Sequence, residues 1–366
     1  MANRCQFWKD YDSIGGPVSY CELAAFNRTV NPDFLARIGC TAEKRKECLG
    51  SMELNIGIGA VPTASPRPEP VAQPVPAAPP ALPCDPPPVV AKTCVGVAEK
   101  KTATALPSLL MLAILAGAYI ALGAVLFTIV TNDLAGYIGD GLTRLVGGVS
   151  FSLGLILVVL GGAELFTGNN LIATGLLEGK VTLKQVLNNW FWVYLFNFIG
   201  ALIVVGLFYF SGIWKANDAA IAIRAVNIAY SKATLPWVEA FARGILCNWL
   251  VCLAVWLSMA AKDAISKIFS IIIPIAAFVA AGFEHSIANM YFIPMGLVLK
   301  GSEALQGLLT PAVVQGLTWQ GFFLNNLIPV TIGNLIGGVV FVAFAYWSAY
   351  LRPTTVKRRI VANGRV

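Results

Sequence analysis

Apolar residues follow one another almost without a break from about residue 106 to residue 351. Within this part of the chain, six apolar stretches are each long enough to cross a hydrocarbon core about 30 Å thick. They lie near residues 107–131, 145–177, 185–212, 238–261, 268–299 and 321–351. The pattern therefore predicts an all-α integral membrane protein with six transmembrane helices.

The second and fifth stretches are too long for one straight crossing, and each contains a polar motif. The motif reads GAELFTGN from Gly162 to Asn169 and GFEHSIAN from Gly282 to Asn289. The third and sixth stretches share a pattern of equal spacing, which is Asn189, Asn197 and Gly200 in one and Asn326, Asn334 and Gly337 in the other. We therefore expect two copies of a three-helix unit, with the second and fifth helices broken. Because three crossings leave the chain on the opposite side of the membrane, the repeats are expected to be inverted.

Two broken helices at matching places in inverted halves usually meet near the middle of the bilayer. Non-helical backbone persists at that depth only where it is buried in protein or lines a cavity. A helix N-terminus there exposes N–H groups and a partial positive charge, which favour an anion. The alternative interpretation is two glycine kinks packed against neighbouring helices, and the internal repeat favours the cavity.

The composition agrees with a membrane location, because 57% of the residues are apolar and 12% are charged, whereas soluble domains carry about 25% charged residues. The composition therefore argues against a soluble, a disordered or a nucleic-acid-binding protein. The net charge is +7, and ten lysine and arginine residues flank the spans on one side against five on the other. This asymmetry predicts that both termini are cytoplasmic. The opening residues contain no apolar run typical of a signal peptide, so we expect a multi-pass protein of the plasma membrane (the inner membrane of a bacterium).

The single histidine of the chain, His285, lies within the fifth stretch. An ionisable residue at that depth is rare and usually functional. Thr167 offers a neutral hydroxyl in the second motif, and the two side chains are suited to hold an anion together. Glu164 and Glu284 occupy equivalent places, where each carboxylate is expected to accept N–H bonds from the interrupted backbone, a proton relay being the alternative. One imidazole is too few for a His-rich zinc or haem site in the membrane body.

No lysine or arginine lies deep within a predicted span. Moving an ionised carboxylate into an apolar slit costs several kcal/mol even after relaxation. Protonating a weak acid with a pKa near 4 at pH 7 costs only about 4 kcal/mol. A narrow apolar path with one titratable donor therefore favours weak-acid anions that cross protonated or share a proton at the centre.

Three segments, GGAELFTGNN, AAGFEHSIANMYFIPMG and NNLIPVTIGNLIGG, resemble the signatures of the formate/nitrite transporter family, and the resemblance covers about residues 106–352. It implies an aquaporin-like protomer with its own pore, assembled as a homopentamer. The implied activity is transport without catalysis and without a cofactor. The implied substrates are small monovalent weak-acid anions, with formate expected first and nitrite or hydrosulfide as alternatives. Protons are expected to bind or to cross with the anion.

The resemblance also implies roles for individual residues. The substrate pathway is expected to contain His285, Thr167, Asn248, Asn334 and Lys232. Hydrophobic constrictions are expected at Phe151, Leu155 and Leu165 on the cytoplasmic side and at Val251 and Phe278 on the outer side. The loop-structuring residues are expected to be Glu164, Glu284, Asn169 and Asn289.

The remainder of the chain is divided by composition. Residues 1–60 are expected to form a small cytoplasmic segment with Cys5, Cys21, Cys40 and Cys48, followed by a Pro-rich linker over 61–105, the channel domain over 106–352 and a basic cytoplasmic tail over 353–366. Four thiolates are enough to hold zinc or an iron–sulfur cluster, but no C-x-x-C pair is present, and a segment that docks a cytoplasmic partner is the alternative. A membrane-anchored redox or sensory protein that works through this segment is the alternative function.

Overall fold

A computed structural model describes residues 84–352, and over this range the chain is helical, with one isolated β-bridge between Cys84 and Ala261 and no strand. The predicted segments 1–60 and 353–366, most of the predicted linker and the four N-terminal cysteines lie outside the described residues. The α-helices are α1 Pro87–Ala103, α2 Leu106–Val130, α3 Ala135–Gly161, α4 Ala173–Leu177, α5 Leu183–Ser211, α6 Ala220–Ala233, α7 Trp237–Ala260, α8 Ala264–Ala280, α9 Ser286–Leu299, α10 Pro311–Gly316 and α11 Gly321–Tyr350. Short 3₁₀ turns lie at Gly168–Ile172, Ile213–Lys215 and Glu303–Leu305, and α11 contains π-helical segments at Gly321–Leu327 and Val339–Phe344.

Five of these helices, α2, α3, α5, α7 and α11, are long and apolar enough to cross a membrane. The fifth predicted stretch is divided between α8 and α9, which are apolar but have only 17 and 14 residues. The predicted interruptions in the second and fifth stretches are both present, and they leave non-helical backbone between α3 and the 3₁₀ turn at Gly168 and between α8 and α9.

Both interruptions begin with the same backbone geometry. Gly162, with φ 77°, follows α3, and Gly282, with φ 75°, follows α8. The next N–H in each case donates five residues back, from Ala163 to the Val158 carbonyl at 2.9 Å and from Phe283 to the Phe278 carbonyl at 3.0 Å. Glycine is the residue that adopts this left-handed conformation without a steric penalty, so each motif begins with one.

Glycines also allow two pairs of long helices to touch backbone to backbone. A Cβ added at Gly200 of α5 would lie 2.0 Å from the Ile114 carbonyl oxygen of α2. A Cβ added at Gly337 of α11 would lie 2.3 Å from the Ile245 carbonyl oxygen of α7. Small residues at such crossings are the usual device for close helix packing in lipid. The same contact therefore fixes α2 against α5 and α7 against α11.

Helix α1 lies in the last part of the segment for which the sequence predicts a linker. The proline cluster ends at Pro88, and proline is compatible with the first turn of a helix because no N–H partner is needed there. The five buried residues of α1 are Val90, Ala91, Cys94, Val95 and Ala98, and each has a buried counterpart 131 residues further on in α6, at Ile221, Ala222, Ala225, Val226 and Ala229. The five buried positions of α1 therefore recur with the same spacing in α6.

Candidate functional site

The second interruption is held by a buried network around Glu284. Its carboxylate accepts from the Lys232 ammonium at 2.8 Å and, through the other oxygen, from the Asn289 amide at 2.7 Å. The same Asn289 amide donates to Asn326 Oδ1 at 2.7 Å, and Asn326 Nδ2 in turn donates to the Lys232 carbonyl at 2.9 Å. The loop, α6 and α11 are thus joined through one carboxylate.

The first interruption has the same network with different residues. Glu164 accepts from the Lys101 ammonium at 2.7 Å and from the Asn169 amide at 2.7 Å. The Asn169 amide also donates to Asn189 Oδ1 at 2.9 Å, and Asn189 Nδ2 donates to the Lys101 carbonyl at 3.3 Å. Every bond described above around Glu284 therefore has an equivalent here. One further bond, from Asn326 Nδ2 to the Glu284 carboxylate at 3.1 Å, has no equivalent among the described residues.

The interrupted backbone itself is satisfied by asparagines, not by the two glutamates as the sequence analysis expects. Asn197 accepts from the Phe166 N–H at 2.9 Å and donates to the Glu164 carbonyl at 2.9 Å. Asn334 accepts from the Ser286 N–H at 2.9 Å and donates to the Glu284 carbonyl at 2.9 Å. An amide offers both a donor and an acceptor, whereas an ionised carboxylate only accepts. One asparagine can therefore serve both an N–H and a C=O of a loop.

Lys101 is part of the network around Glu164, a place that was not predicted for it. Its side chain is 25% exposed and that of Lys232 is 17% exposed, while their glutamate partners are buried. The signal was present in the spacing, because Lys101 stands five residues before α2 begins at Leu106, and Lys232 stands five before α7 begins at Trp237. Two ammonium groups from helices outside the membrane-capable set, α1 and α6, thus reach the buried carboxylates.

The two interruptions meet at Thr167 and His285. Thr167 Oγ1 lies 2.9 Å from His285 Nε2, and both residues are buried. His285 Nδ1 accepts from the Ala288 N–H at 3.0 Å, as the N-cap of α9. Because Nδ1 is an acceptor, the neutral ring carries its proton on Nε2 and donates to Thr167. The threonine hydroxyl proton is then left to donate to a further group.

Asn248 lies behind this contact. Its amide nitrogen donates to Asn170 Oδ1 and to the Asn334 carbonyl, both at 2.7 Å, and more weakly to the Thr167 carbonyl at 3.3 Å. Cys252 also donates to the Thr167 carbonyl, with Sγ at 3.3 Å. Neither Asn248 nor Asn334 lines the cavity described next. The hydrogen bonds of both residues hold the loops in place.

A cavity of about 710 Å³ leads to His285 and is lined by aromatic and charged side chains. Phe278 stacks on the His285 ring at a centroid distance of 6.1 Å and meets Phe151 edge to face at 5.9 Å. Phe292 lies 6.3 Å from Phe151, and the Lys232 ammonium lies 5.5 Å above the Phe292 ring. Of these contacts, only the one between Lys232 and Phe292 joins a charged group to an aromatic ring. The cavity therefore ends in an aromatic group beside the imidazole.

Phe151 and Phe278, which the sequence predicts at different constrictions, lie against each other. Both line the cavity, whereas Leu165 does not. The reason is that Gly148 of α3 packs against the backbone of α8 at Ala276, which brings the two phenylalanines together. Leu155, Leu165 and Val251 are buried and do not line this cavity.

Among residues 84–352 no cluster of three or more histidine, cysteine or acidic residues is arranged to hold a metal ion. Cys94, Cys247 and Cys252 are buried and free in this range, and Cys84 is exposed and free. Burial raises the pKa of the Cys94 thiol to about 11, which makes it a small apolar side chain at neutral pH. The predicted zinc or iron–sulfur ligands Cys5, Cys21, Cys40 and Cys48 lie outside the described residues.

Comparisons with known proteins agree on one family. A family model described as formate/nitrite transporter matches residues 88–348. The chain is 43% identical over 281 residues to a probable formate transporter of Methanothermobacter thermautotrophicus, which covers 72% of this chain and 96% of the relative. It is 42% identical over 245 residues to the formate channel FocA of Escherichia coli K12, which covers 66% of this chain and 86% of the relative.

A solved structure agrees with the sequence matches. A pentameric formate channel with formate bound has a TM-score of 0.61 and 38% sequence identity, and covers 68% of this chain and 98% of that chain. The matched residues contain both interruptions, the networks that hold them and, except for the last two residues of α11, the five membrane-capable helices. The protein is therefore a multi-pass membrane protein, and the chain belongs to the formate/nitrite transporter family.

Proposed function

We propose that this protein is a channel for small monovalent weak-acid anions, with formate as its substrate. The contact between Thr167 Oγ1 and His285 Nε2 carries the proposal, because it joins the two interruptions at the end of a cavity. The family and the relatives named as formate channels and transporters support formate over nitrite and hydrosulfide. Passage of an anion requires no catalysed reaction and no cofactor.

The proposed architecture has six crossings arranged as two inverted halves in an aquaporin-like protomer. Five crossings are single helices and the sixth is built from α8 and α9. The equivalent networks at Glu164 and Glu284 support the repeat, and the likeness to a pentameric channel supports a homopentamer. The excess of lysine and arginine on one side supports cytoplasmic termini. In this arrangement residues 1–60 remain an N-terminal cytoplasmic segment and 353–366 a cytoplasmic tail.

At the centre, the hydroxyl of Thr167 is the donor that the passing anion meets. His285 donates its Nε2–H to Thr167 Oγ1, and its Nδ1 accepts from the Ala288 N–H at the start of α9. A hydroxyl that accepts from an N–H becomes a better donor, since neighbouring hydrogen bonds polarise one another. The carboxylate receives one hydrogen bond from Thr167 and no full counter-charge. Binding at this point is therefore weak enough to allow release, as conduction requires.

The lysine–glutamate pairs set the field on both sides of this centre. Each ammonium is partly exposed and is compensated by a buried carboxylate, so it attracts an anion without trapping it. Phe151 and Phe278 form the proposed apolar constriction on the Lys232 side, and Leu155 and Leu165 form the proposed constriction beyond Thr167. Water is excluded between them, which favours an anion that shares a proton.

Formate uptake into proteoliposomes tests the proposal. We expect Thr167→Ala and His285→Ala to change the flux by about tenfold, equal to about 1.4 kcal/mol in the barrier, without loss of the assembled protein on size exclusion. Thr128→Ala is the matched control, because it removes an equally buried hydroxyl that only donates to the Ala124 carbonyl. Competition by nitrite, hydrosulfide and lactate ranks the substrates. Wild-type protein that carries no formate, or Thr167→Ala and His285→Ala fluxes equal to that of the control, would overturn the proposal.

A further inference from the structure

The cavity that leads to His285 carries more positive than negative charge. Four cationic side chains line it, which are Arg144, Arg224, Lys232 and Arg243, against the carboxylates of Asp140 and Glu284. Lys232 is paired with Glu284 at 2.8 Å, and Arg243 is paired with Glu239 at 2.8 Å. Within the described part of the chain, Arg144 and Arg224 have no carboxylate oxygen within 4.0 Å.

The Arg224 head group is held in one place. Its Nε donates to Thr131 Oγ1 at 3.2 Å, and its guanidinium lies 5.9 Å above the centre of the Phe127 ring. Thr131 is itself fixed, because its hydroxyl donates to the Phe127 carbonyl at 2.8 Å. The two terminal nitrogens of the guanidinium make no hydrogen bond to residues 84–352. They are the part of the fork that suits a carboxylate, which takes two parallel N–H bonds.

The surroundings of Arg224 favour an incoming anion. Partial burial lowers the pKa of the guanidinium below its usual value, and the nearby charge of Arg144 acts in the same direction, while Asp140 opposes them. A partly dehydrated cation beside a second cation gains more from a counter-ion than a fully solvated one does. The group remains charged at neutral pH, because arginine does not lose its proton in proteins.

The arginines are not part of the repeated framework. The position in α1 that corresponds to Arg224, 131 residues earlier, is Thr93, whereas Lys232 corresponds to Lys101. The interruptions Glu164 and Glu284 are related by 120 residues, and on that offset the counterpart of Arg144 is Ala264. Helices α1 and α8 form without an arginine at the corresponding positions. The fold therefore does not require Arg224 and Arg144, and their presence calls for another explanation.

We propose that Arg224, supported by Arg144, forms an entry subsite that binds the carboxylate of a small monocarboxylate anion before it reaches the aromatic group beside His285. This inference rests on the proposed function and adds a second anion position to it. The subsite faces the same cavity as Lys232 and His285, so an anion released from it needs no further opening to move inward. Its partial exposure keeps the binding weak, which suits a site that must load and empty during conduction.

The concentration dependence of formate flux tests the subsite. We expect Arg224→Gln to raise the half-saturating formate concentration about fivefold with the maximal flux retained, the size expected for one charge-assisted pair. Arg224→Lys keeps the charge and loses the fork, so an intermediate increase of about twofold is expected. Lys215→Gln is the matched control, because it removes one positive charge from the turn before α6 and does not line the cavity. An Arg224→Gln curve that superposes on the Lys215→Gln curve would overturn the subsite.

A second measurement on the purified full-length protein reports binding without transport. Phenylglyoxal modifies arginines, and mass spectrometry measures its rate at each one. Formate is expected to slow modification of Arg224 in a saturable way and to leave exposed Arg352 unaffected. Equal rates at Arg224 with and without formate would also overturn the subsite. Failure of wild-type flux removes the proposed channel function, whereas wild-type flux with no effect at Arg224 removes the subsite alone.

Discussion

The two interrupted loops have the same scaffold and different contents. Glu164 and Glu284, each with its lysine and asparagine partners, occupy equivalent places and make equivalent bonds. Between them and the following helical turn, however, Leu165 stands in one loop where His285 stands in the other, and Phe166 stands where Ser286 does. The repeated residues satisfy buried charges and backbone. The residues that differ include His285, which with Thr167 forms the centre of the proposed anion path.

The largest expected effect comes from the close helix crossings that the halves share. Gly200→Ala and Gly337→Ala place a methyl group within 2.0 and 2.3 Å of a carbonyl oxygen, so each should cost at least about 3 kcal/mol and prevent assembly. Gly206→Ala is the control in the same helix as Gly200, since nothing lies within 4 Å of its added Cβ. Yield and thermal unfolding in detergent measure the difference. A tolerated substitution at only one of the two crossings would break the equivalence of the halves.

A smaller effect is expected from the lysines. Lys101→Met and Lys232→Met leave a buried carboxylate without its cation, and each should lower the free energy of unfolding by about 3 kcal/mol. Adding Glu164→Gln to the first variant, or Glu284→Gln to the second, should recover part of that loss, because the unpaired charge is removed as well. Thermal unfolding of the single and double variants measures the recovery.

The control for the lysine variants is an exposed ion pair. Arg243→Met breaks the pair with Glu239, whose side chains are 40% and 52% exposed, and should cost less than about 1 kcal/mol. Unequal losses at Lys101 and Lys232 would show that the two networks do not bear equal weight. Equal losses that the glutamine variants fail to recover would contradict the assignment of the cost to an unpaired carboxylate.

The smallest effect is expected at Ser286, the counterpart of Phe166. Its hydroxyl is buried and has no hydrogen-bond partner in residues 84–352, while its N–H is held by Asn334. Ser286→Ala should therefore leave stability unchanged or raise it by up to about 1 kcal/mol, with formate flux unchanged. Flux and thermal unfolding in parallel check this. A marked fall in flux would instead indicate that the Ser286 hydroxyl contacts the anion in the proposed path.

The sequence predicted those features that are written in local patterns. The two motifs with their leading glycines predicted both interruptions, and the spacing Asn189–Asn197 repeated at Asn326–Asn334 predicted matching partners for them. Helix α1 was not predicted, because its buried positions directly follow a run of prolines and the predicted linker extends past Pro88 to residue 105. The place of Lys101 depends on α1 and was missed with it.

Features that depend on contacts between distant segments were harder to predict from the sequence. Phe151 and Phe278 are 127 positions apart, and only the packing of α3 on α8 brings them together. The finding that asparagines rather than glutamates bond the interrupted backbone also depends on such contacts, because both residue types occur at matching places in the sequence. Donor and acceptor geometry decides which of them serves the backbone.

His285 begins a helix whose residues are almost all buried, and the same ring points its other nitrogen at Thr167 of the proposed path. If the proposed path is correct, the requirements of permeation and of folding act on opposite sides of one aromatic ring. Few replacements satisfy both demands, and asparagine, a good helix cap with no imidazole, would separate them. The lone histidine of the chain is constrained twice over.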